Sequence, residues 1–118
     1  MFKVLIACYG NWDTTAEIPF LFKKAGCSVD IYCSNKSWLL SNSYYVNWIE
    51  SDSDENNYAD TLISFANKNW YDWIVLADDL VINLLNNKIV DEAIFLKLLP
   101  LTIRFNEYYK ITYNSFFP

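Results

Sequence analysis

Blocks of apolar residues alternate with polar loops from the start of the chain, and their spacing predicts strands and helices in turn. Residues 3–8 and 28–33 are short runs rich in apolar and β-branched side chains, a pattern typical of buried strands. Between them, residues 9–15 have loop chemistry, and residues 16–25 have the spacing of a helix that Gly26 closes. The first third of the chain is therefore a strand–helix–strand unit.

The same alternation continues to residue 100. The later predicted elements are a strand at 46–49, a helix at 56–69, a strand at 72–77, a helix that Asp78 and Asp79 open, and a short helix at 90–99 that Pro100 ends. Alternating strands and helices joined by right-handed crossovers form a parallel sheet. The predicted fold class is thus α/β: a three-layer, Rossmann-like open parallel sheet of about four strands, in the order 3-2-1-4, with helices on both faces.

We divide the chain into one domain over residues 1–100 and an aromatic tail over residues 101–118. A chain of 118 residues matches the usual size of a single domain, roughly 100–150 residues. The aromatic residues of the tail are Phe105, Tyr108, Tyr109, Tyr113, Phe116 and Phe117. Apolar surface of this kind marks an interface when it is left uncovered. The tail therefore either packs on the domain itself or is covered by a protein partner or a downstream domain.

The composition excludes several classes of protein. Hydrophobic residues make up 53% of the chain and charged residues 19%, which is too apolar for a disordered chain. No apolar run approaches the roughly 18–20 residues of a membrane span. The short apolar run after Met1 lacks the cleavage site of a secretory signal, which favours a cytoplasmic protein without a membrane partner. A net charge of −5 gives no basic footprint for nucleic acid.

The chain has no histidine, and this limits the chemistry it can perform. Triads of the Ser-His-Asp or Cys-His type and most zinc sites are excluded. Catalysis would have to rest on carboxylates, lysines or tyrosines. Arg104 is the only arginine, so a phosphate clamp built from this chain alone would be poor.

Three cysteines, Cys8, Cys27 and Cys33, lack the paired spacing of a disulfide framework or a zinc motif. Reduced thiols in the core are the ordinary interpretation. Because Cys8 and Cys33 end neighbouring strands at the same edge of the predicted sheet, a metal or redox role stays open as the alternative.

The best candidate site lies where the chain reverses direction between the first and fourth strands. Ligands of open α/β sheets bind at such a switch point, outside the carboxyl ends of the strands. The loop that holds Tyr9, Gly10 and Asn11 should there face the loop that holds Asp78 and Asp79. We predict these five residues as substrate-binding, with no catalytic residue and no metal ligand.

Each part of this candidate site has a simpler interpretation beside it. Gly10 either lets a ligand approach the backbone or only makes a turn, since the loop lacks the spaced glycines of a dinucleotide or phosphate loop. Asp78 and Asp79 either contact a ligand or only cap the helix that follows, where carboxylates offset the positive end of the helix dipole.

The layout resembles a known family, the N-terminal domain that precedes the catalytic core of ATP-grasp ligases, especially the carbamoyl-phosphate-synthase-like carboxylate–amine ligases. The resemblance covers nearly the whole chain. It rests on the strand at 3–6 followed by Gly10, the helix-to-strand turn at 25–32, and the strand at 73–77 followed by Asp78 and Asp79. A Leu99-Pro100 pair and Lys110 come in the order that the family has before its ATP-binding core.

The resemblance implies a supporting role. Such a domain packs against the ATP-grasp core and helps to enclose the substrate, while later residues of the parent enzyme hold ATP and Mg²⁺. On this hypothesis the chain itself holds no cofactor and is not catalytic alone, and the parent protein is an ATP-dependent ligase. Its partner would be the downstream ATP-grasp domain.

Two other functions remain open from the sequence. The first is a stand-alone module that binds a small ligand or a protein through the loop at 9–13 or the aromatic tail. The second is the N-terminal half of a glycosyltransferase, which opens with a similar strand and glycine loop.

Overall fold

Five parallel strands form one sheet in the order β3-β2-β1-β4-β5. The computed structural model describes residues 1–86, 88 and 91–101. The strands are β1 (Lys3–Ala7), β2 (Ser28–Cys33), β3 (Asn47–Glu50), β4 (Trp73–Leu76) and β5 (Leu98–Pro100). The predicted α/β class, the parallel sheet and the order 3-2-1-4 of the first four strands are confirmed.

The central strand β1 explains why the predicted apolar runs were so continuous. It pairs with β2 on one side, from Lys3 opposite Ser28 onward, and with β4 on the other, through Ala7 opposite Leu76. A strand in the middle of a parallel sheet is covered on both faces, so it needs apolar residues at successive positions. All side chains from Val4 to Ala7 are accordingly fully buried.

Helices cover both faces of the sheet. The α-helices are α1 (Ile18–Lys24), α2 (Glu55–Lys68), α3 (Asp79–Asn86) and α4 (Glu92–Phe95). Helix α1 and a short 3-10 turn between β2 and β3 pack on the face that carries Val4 and Ile6. Helices α2, α3 and α4 pack on the face that carries Leu5 and Ala7. The connection from β3 to β4 through α2 therefore carries the chain from one face of the sheet to the other.

Both ends of α1 follow from the sequence. The predicted start at residue 16 is two residues early, because Asp13–Glu17 forms a 3-10 helix before α1 begins at Ile18, with Pro19 in its first turn. At the other end Gly26 has a φ of 91°. The amide groups of Gly26 and Cys27 donate to the carbonyls of Lys23 and Phe22, which is the Schellman pattern that favours glycine. The prediction that Gly26 closes the helix is confirmed.

The fifth strand corrects the sequence prediction. Residues 90–99 were expected to form a short helix, and the sheet was expected to have about four strands. Instead, α4 ends at Phe95, and β5 pairs with β4 through Ile74 opposite Leu98. The residue before a proline is pushed towards extended conformations, and an edge strand tolerates a proline because its outer side needs no donor. Both effects favour a strand that ends on Pro100.

A buried polar cluster holds together the amino ends of the strands on the α2 face. Asp30 in β2 is only 3% exposed. Its carboxylate accepts hydrogen bonds from the Tyr71 hydroxyl at 2.7 Å and the Asn47 side-chain amide at 3.1 Å. The Lys3 ammonium lies 3.9 Å from the same carboxylate and 4.9 Å from the centre of the Tyr71 ring. The four residues tie β1, β2 and β3 to the segment before β4, so the buried charge of Asp30 is compensated.

Replacing Tyr71 with Phe tests this cluster. The substitution keeps the ring and removes the shortest hydrogen bond to a buried carboxylate, so the free energy of unfolding should fall by about 1.5–3 kcal/mol. Urea denaturation measures the change. The control is Tyr44→Phe, because Tyr44 is 38% exposed and a surface substitution of this kind changes the free energy of unfolding by about 0.5 kcal/mol or less. Equal losses in the two variants would contradict the account.

Candidate functional site

The two loops predicted to face each other meet at the carboxylate of Asp78. Parallel pairing of β1 with β4 brings the two loops together, and the Ala77 amide extends the ladder by donating to the Ala7 carbonyl at 2.9 Å. Asp78 follows at once and is 6% exposed. Its Oδ2 atom accepts the backbone amides of Tyr9 at 3.1 Å and Gly10 at 2.8 Å. The first loop is therefore bound to the second by a side chain.

The same carboxylate caps helix α3. Its Oδ1 atom accepts the backbone amide of Val81 at 2.9 Å, which satisfies one of the free amides at the helix N-terminus. The Cys8 thiol lies 3.0 Å from Oδ2 and 3.1 Å from the Gly10 carbonyl, two acceptors for its one proton. The capping interpretation of Asp78 is thus borne out by geometry, and both oxygens of the carboxylate are engaged by the chain itself.

Gly10 is crowded by side chains. A Cβ atom placed on Gly10 would lie 2.9 Å from Cδ1 of Trp12 and 3.1 Å from Cδ1 of Leu80, and still closer to the indole nitrogen of Trp12. Trp12 and Leu80 therefore cover the backbone at the position where a ligand would approach it. A larger residue at position 10 would have to displace the indole of Trp12, which is 54% exposed.

The remaining predicted site residues lie at the rim. Asn11 is exposed, and Asp79 is half-buried as the first residue of α3. The structure thus brings Tyr9, Gly10 and Asp78 into direct contact and leaves Asn11 and Asp79 beside them. The role of the five residues in substrate binding stays a prediction.

Three tyrosines pack in a row from the first loop into the core. The Tyr9 ring packs edge-on against Tyr58 with centroids 5.0 Å apart, and its hydroxyl donates to the Ser53 carbonyl at 2.7 Å. Tyr58 packs in turn against Tyr32, whose hydroxyl donates to the Tyr58 carbonyl at 2.9 Å. Within the described residues the buried Tyr58 hydroxyl has no hydrogen-bond partner. Burial raises the pKa of Tyr58 well above its usual value, so this phenol stays neutral.

The thiols at this edge are protonated and buried. Burial, and then the charge of Asp78, raises the pKa of Cys8, and burial raises the pKa of Cys33 to about 11. Because the thiolate is the nucleophile, neither residue is suited to nucleophilic chemistry near neutral pH. In the described part of the chain, no group of His, Cys, Asp and Glu side chains is arranged to hold a metal ion. These observations favour the core-thiol interpretation.

The edge of the sheet at which the strands end is strongly acidic. The carboxylates on its loops and helix starts are those of Asp13, Glu17, Glu50, Asp52, Asp54, Glu55, Asp78 and Asp79. Lys36 is the one basic residue in the described loops of this edge. Burial, and then the charges of Glu55 and Asp54, raises the pKa of Tyr9. Such a field repels phosphate groups and other anions.

Sequence reasoning missed the residues that fill this site. Nothing in the sequence indicates that the indole of Trp12 lies against Gly10. The partnership of Cys8 with Asp78 and the buried hydroxyl of Tyr58 carry no motif. The one available signal was the position of Cys8 directly after β1, which places it at the same edge as Asp78.

Comparisons with known proteins found no counterpart for this chain: no family model, no curated protein and no solved structure matches it. None of the helices in the described residues has the length and apolar character needed to cross a membrane.

The importance of Asp78 can be tested against its neighbour. Asp78→Asn removes the charge of a carboxylate that accepts three backbone amides, and the free energy of unfolding should fall by about 1.5–3 kcal/mol. Asp79→Asn is the matched control, since it loses only a favourable charge in the first turn of α3, worth about 0.3–1 kcal/mol. Urea denaturation at pH 7 measures both. If Asp79→Asn is the more damaging variant, the clamp assigned to Asp78 is wrong.

Proposed function

We propose that this chain is a non-catalytic, Rossmann-like supporting domain of a larger enzyme, in the manner of the N-terminal domain of ATP-grasp carboxylate–amine ligases. One observation carries the proposal. The backbone amides of Tyr9 and Gly10, which would receive an anionic ligand at the switch point, are already bound to the Asp78 carboxylate.

The residues at the switch point do not suit ATP. A nucleotide site of this fold needs free amides at the first loop and helix, a close approach at glycine, and cationic side chains near the phosphates. Here the amides bind Asp78, the indole of Trp12 covers Gly10, and the surrounding edge is acidic. ATP and Mg²⁺ are therefore assigned to another part of the parent enzyme.

The order of elements agrees with the resemblance on which the proposal draws. The sheet carries one more strand beyond the order 3-2-1-4, and that strand ends on Leu99-Pro100, the pair that resembles the family's sequence before its ATP-binding core. Leu101 still donates its amide to the Leu76 carbonyl at 2.9 Å. The chain thus leaves the sheet at its carboxyl edge, beside the loops that such a domain turns towards a substrate.

Exposed leucines next to β5 support a partner there. Strand β5 is an outer strand of the sheet, Leu96 just before it is 73% exposed, and Leu101 just after it is 41% exposed. A downstream domain packed on this side would bury both. Of the aromatic tail at 101–118, residues 102–118 lie outside the described residues, so the tail's role as the contact to that domain stays a prediction. Substrate contact in the parent enzyme would fall to the accessible side chains of Asn11 and Asp79.

Addition of Mg²⁺-ATP should leave the melting temperature of the 118-residue chain unchanged. A ligand that binds only the native state stabilises it in proportion to the logarithm of one plus the ratio of ligand concentration to Kd, by about 2.7 kcal/mol at one hundred times Kd, and so raises the melting temperature. Differential scanning fluorimetry with and without Mg²⁺-ATP makes the test. A saturable rise of several degrees would contradict the assignment of the nucleotide site to another part of the enzyme.

The mass of the native gene product tests the supporting role itself. Peptide mass spectrometry on source cells should find these peptides in a product several times heavier than 13.9 kDa. That product should form ADP and phosphate from ATP only when a carboxylate and an amine are both supplied. A native product of about 13.9 kDa would overturn the proposal and favour the stand-alone module. Dependence on a nucleotide sugar would favour the glycosyltransferase.

A further inference from the structure

The amino end of β2 carries a cleft that belongs to none of the features described so far. Its volume is about 330 Å³, within the usual size range of small-molecule sites. The C-terminal turn of α1 forms one wall through Lys23, and residues 44–46, just before β3, form the other. Ser28 and Val29 lie at its base. We call this the α1–β3 cleft.

The charge in the α1–β3 cleft is positive. Lys23 is the one charged side chain among its lining residues; Met1 also lines the cleft, so its α-amino group adds to the positive charge, and no carboxylate lines it. The Lys23 ammonium lies 5.9 Å from the centre of the Tyr44 ring. The ion pairs in the described residues join Lys3 to Asp30 and Lys88 to Asp60, so Lys23 has no acidic partner there. An ammonium group without an acidic partner, next to an aromatic ring, can bind an external anion.

The walls of the cleft are apolar and accessible. Val46 is 69% exposed and Tyr44 is 38% exposed, while Tyr45 is half-buried. A ligand that covers Val46 and Tyr44 would remove apolar surface from water, which favours binding. The occupant should therefore combine one negative charge with an apolar or aromatic body.

The backbone around the cleft argues for a carboxylate and against a phosphate. The amides of Gly26, Cys27 and Ser28 already donate to the carbonyls of Lys23, Phe22 and Phe2. No free amides are left among these three to form the nest that a phosphate prefers. The C-terminal end of α1 also lines the cleft, and its dipole disfavours a dianion more strongly than a single negative charge. A single charge placed at Lys23, with the Ser28 hydroxyl nearby, is the better match.

We propose that the α1–β3 cleft binds a small organic carboxylate with an aromatic or branched aliphatic body. The cleft lies at the amino end of the sheet, opposite Asp78 and its loops. The inference is therefore independent of the proposed function, and either can fail without the other.

Benzoate and its neutral analogue benzamide are the probes. In ¹H–¹⁵N spectra of the ¹⁵N-labelled chain, benzoate should shift the amides of residues 26–29 and 44–46 saturably, with a Kd of about 1 mM. Benzamide should bind about fivefold more weakly, since it lacks the charge that meets Lys23. Inorganic phosphate should cause no saturable shift at these amides.

Two lysine variants locate the charge. Lys23→Met should remove the preference for benzoate over benzamide, while Lys24→Met should keep it within about twofold. Both residues are exposed in the last turn of α1, so both variants lose the same favourable contact with the helix dipole. The proposal is overturned if benzoate gives no saturable shift at these amides up to about 20 mM. It is also overturned if the preference for benzoate survives in Lys23→Met.

Discussion

The hydrogen bonds from the amides of Tyr9 and Gly10 to Asp78 determine what the carboxyl edge of this sheet can do. In α/β domains that bind nucleotides, the first loop offers its free amides to an external anion. Here an internal carboxylate receives them, and the same side chain caps α3 through Val81. These amides therefore have an acceptor within the chain itself.

Most of the fold was predictable because its three inner strands are largely buried on both faces. Continuous apolar runs identified β1, β2 and β4, and right-handed crossovers fixed their order. Strand β5 escaped prediction because three residues have no readable period, and because the conformational effect of Pro100 on Leu99 was interpreted as the end of a helix. The meeting of the two loops was likewise predictable from parallel pairing. Which atoms form hydrogen bonds between the two loops was not predictable, because those bonds depend on the positions of the side chains.

The two ends of the sheet differ in charge and in packing. Acidic side chains gather at the carboxyl edge around Asp78, where the indole of Trp12 lies against Gly10. At the amino end of β2, by contrast, the α1–β3 cleft is open and carries the unpaired ammonium of Lys23. Anions are therefore disfavoured where this fold usually binds them and favoured at the opposite end. Sequence reasoning pointed to the first place because its rules describe strand ends, and Lys23 belongs to no motif.

Direct observation of the hydrogen bonds to Asp78 is the sharpest test of this account. A long-range HNCO experiment on the ¹³C,¹⁵N-labelled chain reports couplings between an amide nitrogen and the carbon of its acceptor. We expect cross-peaks from Tyr9 and Gly10 to the side-chain carboxyl carbon of Asp78, and slow hydrogen exchange at both amides. Fast exchange at both amides without such cross-peaks would mean that the loop is free to receive an anion, and the central claim would be wrong.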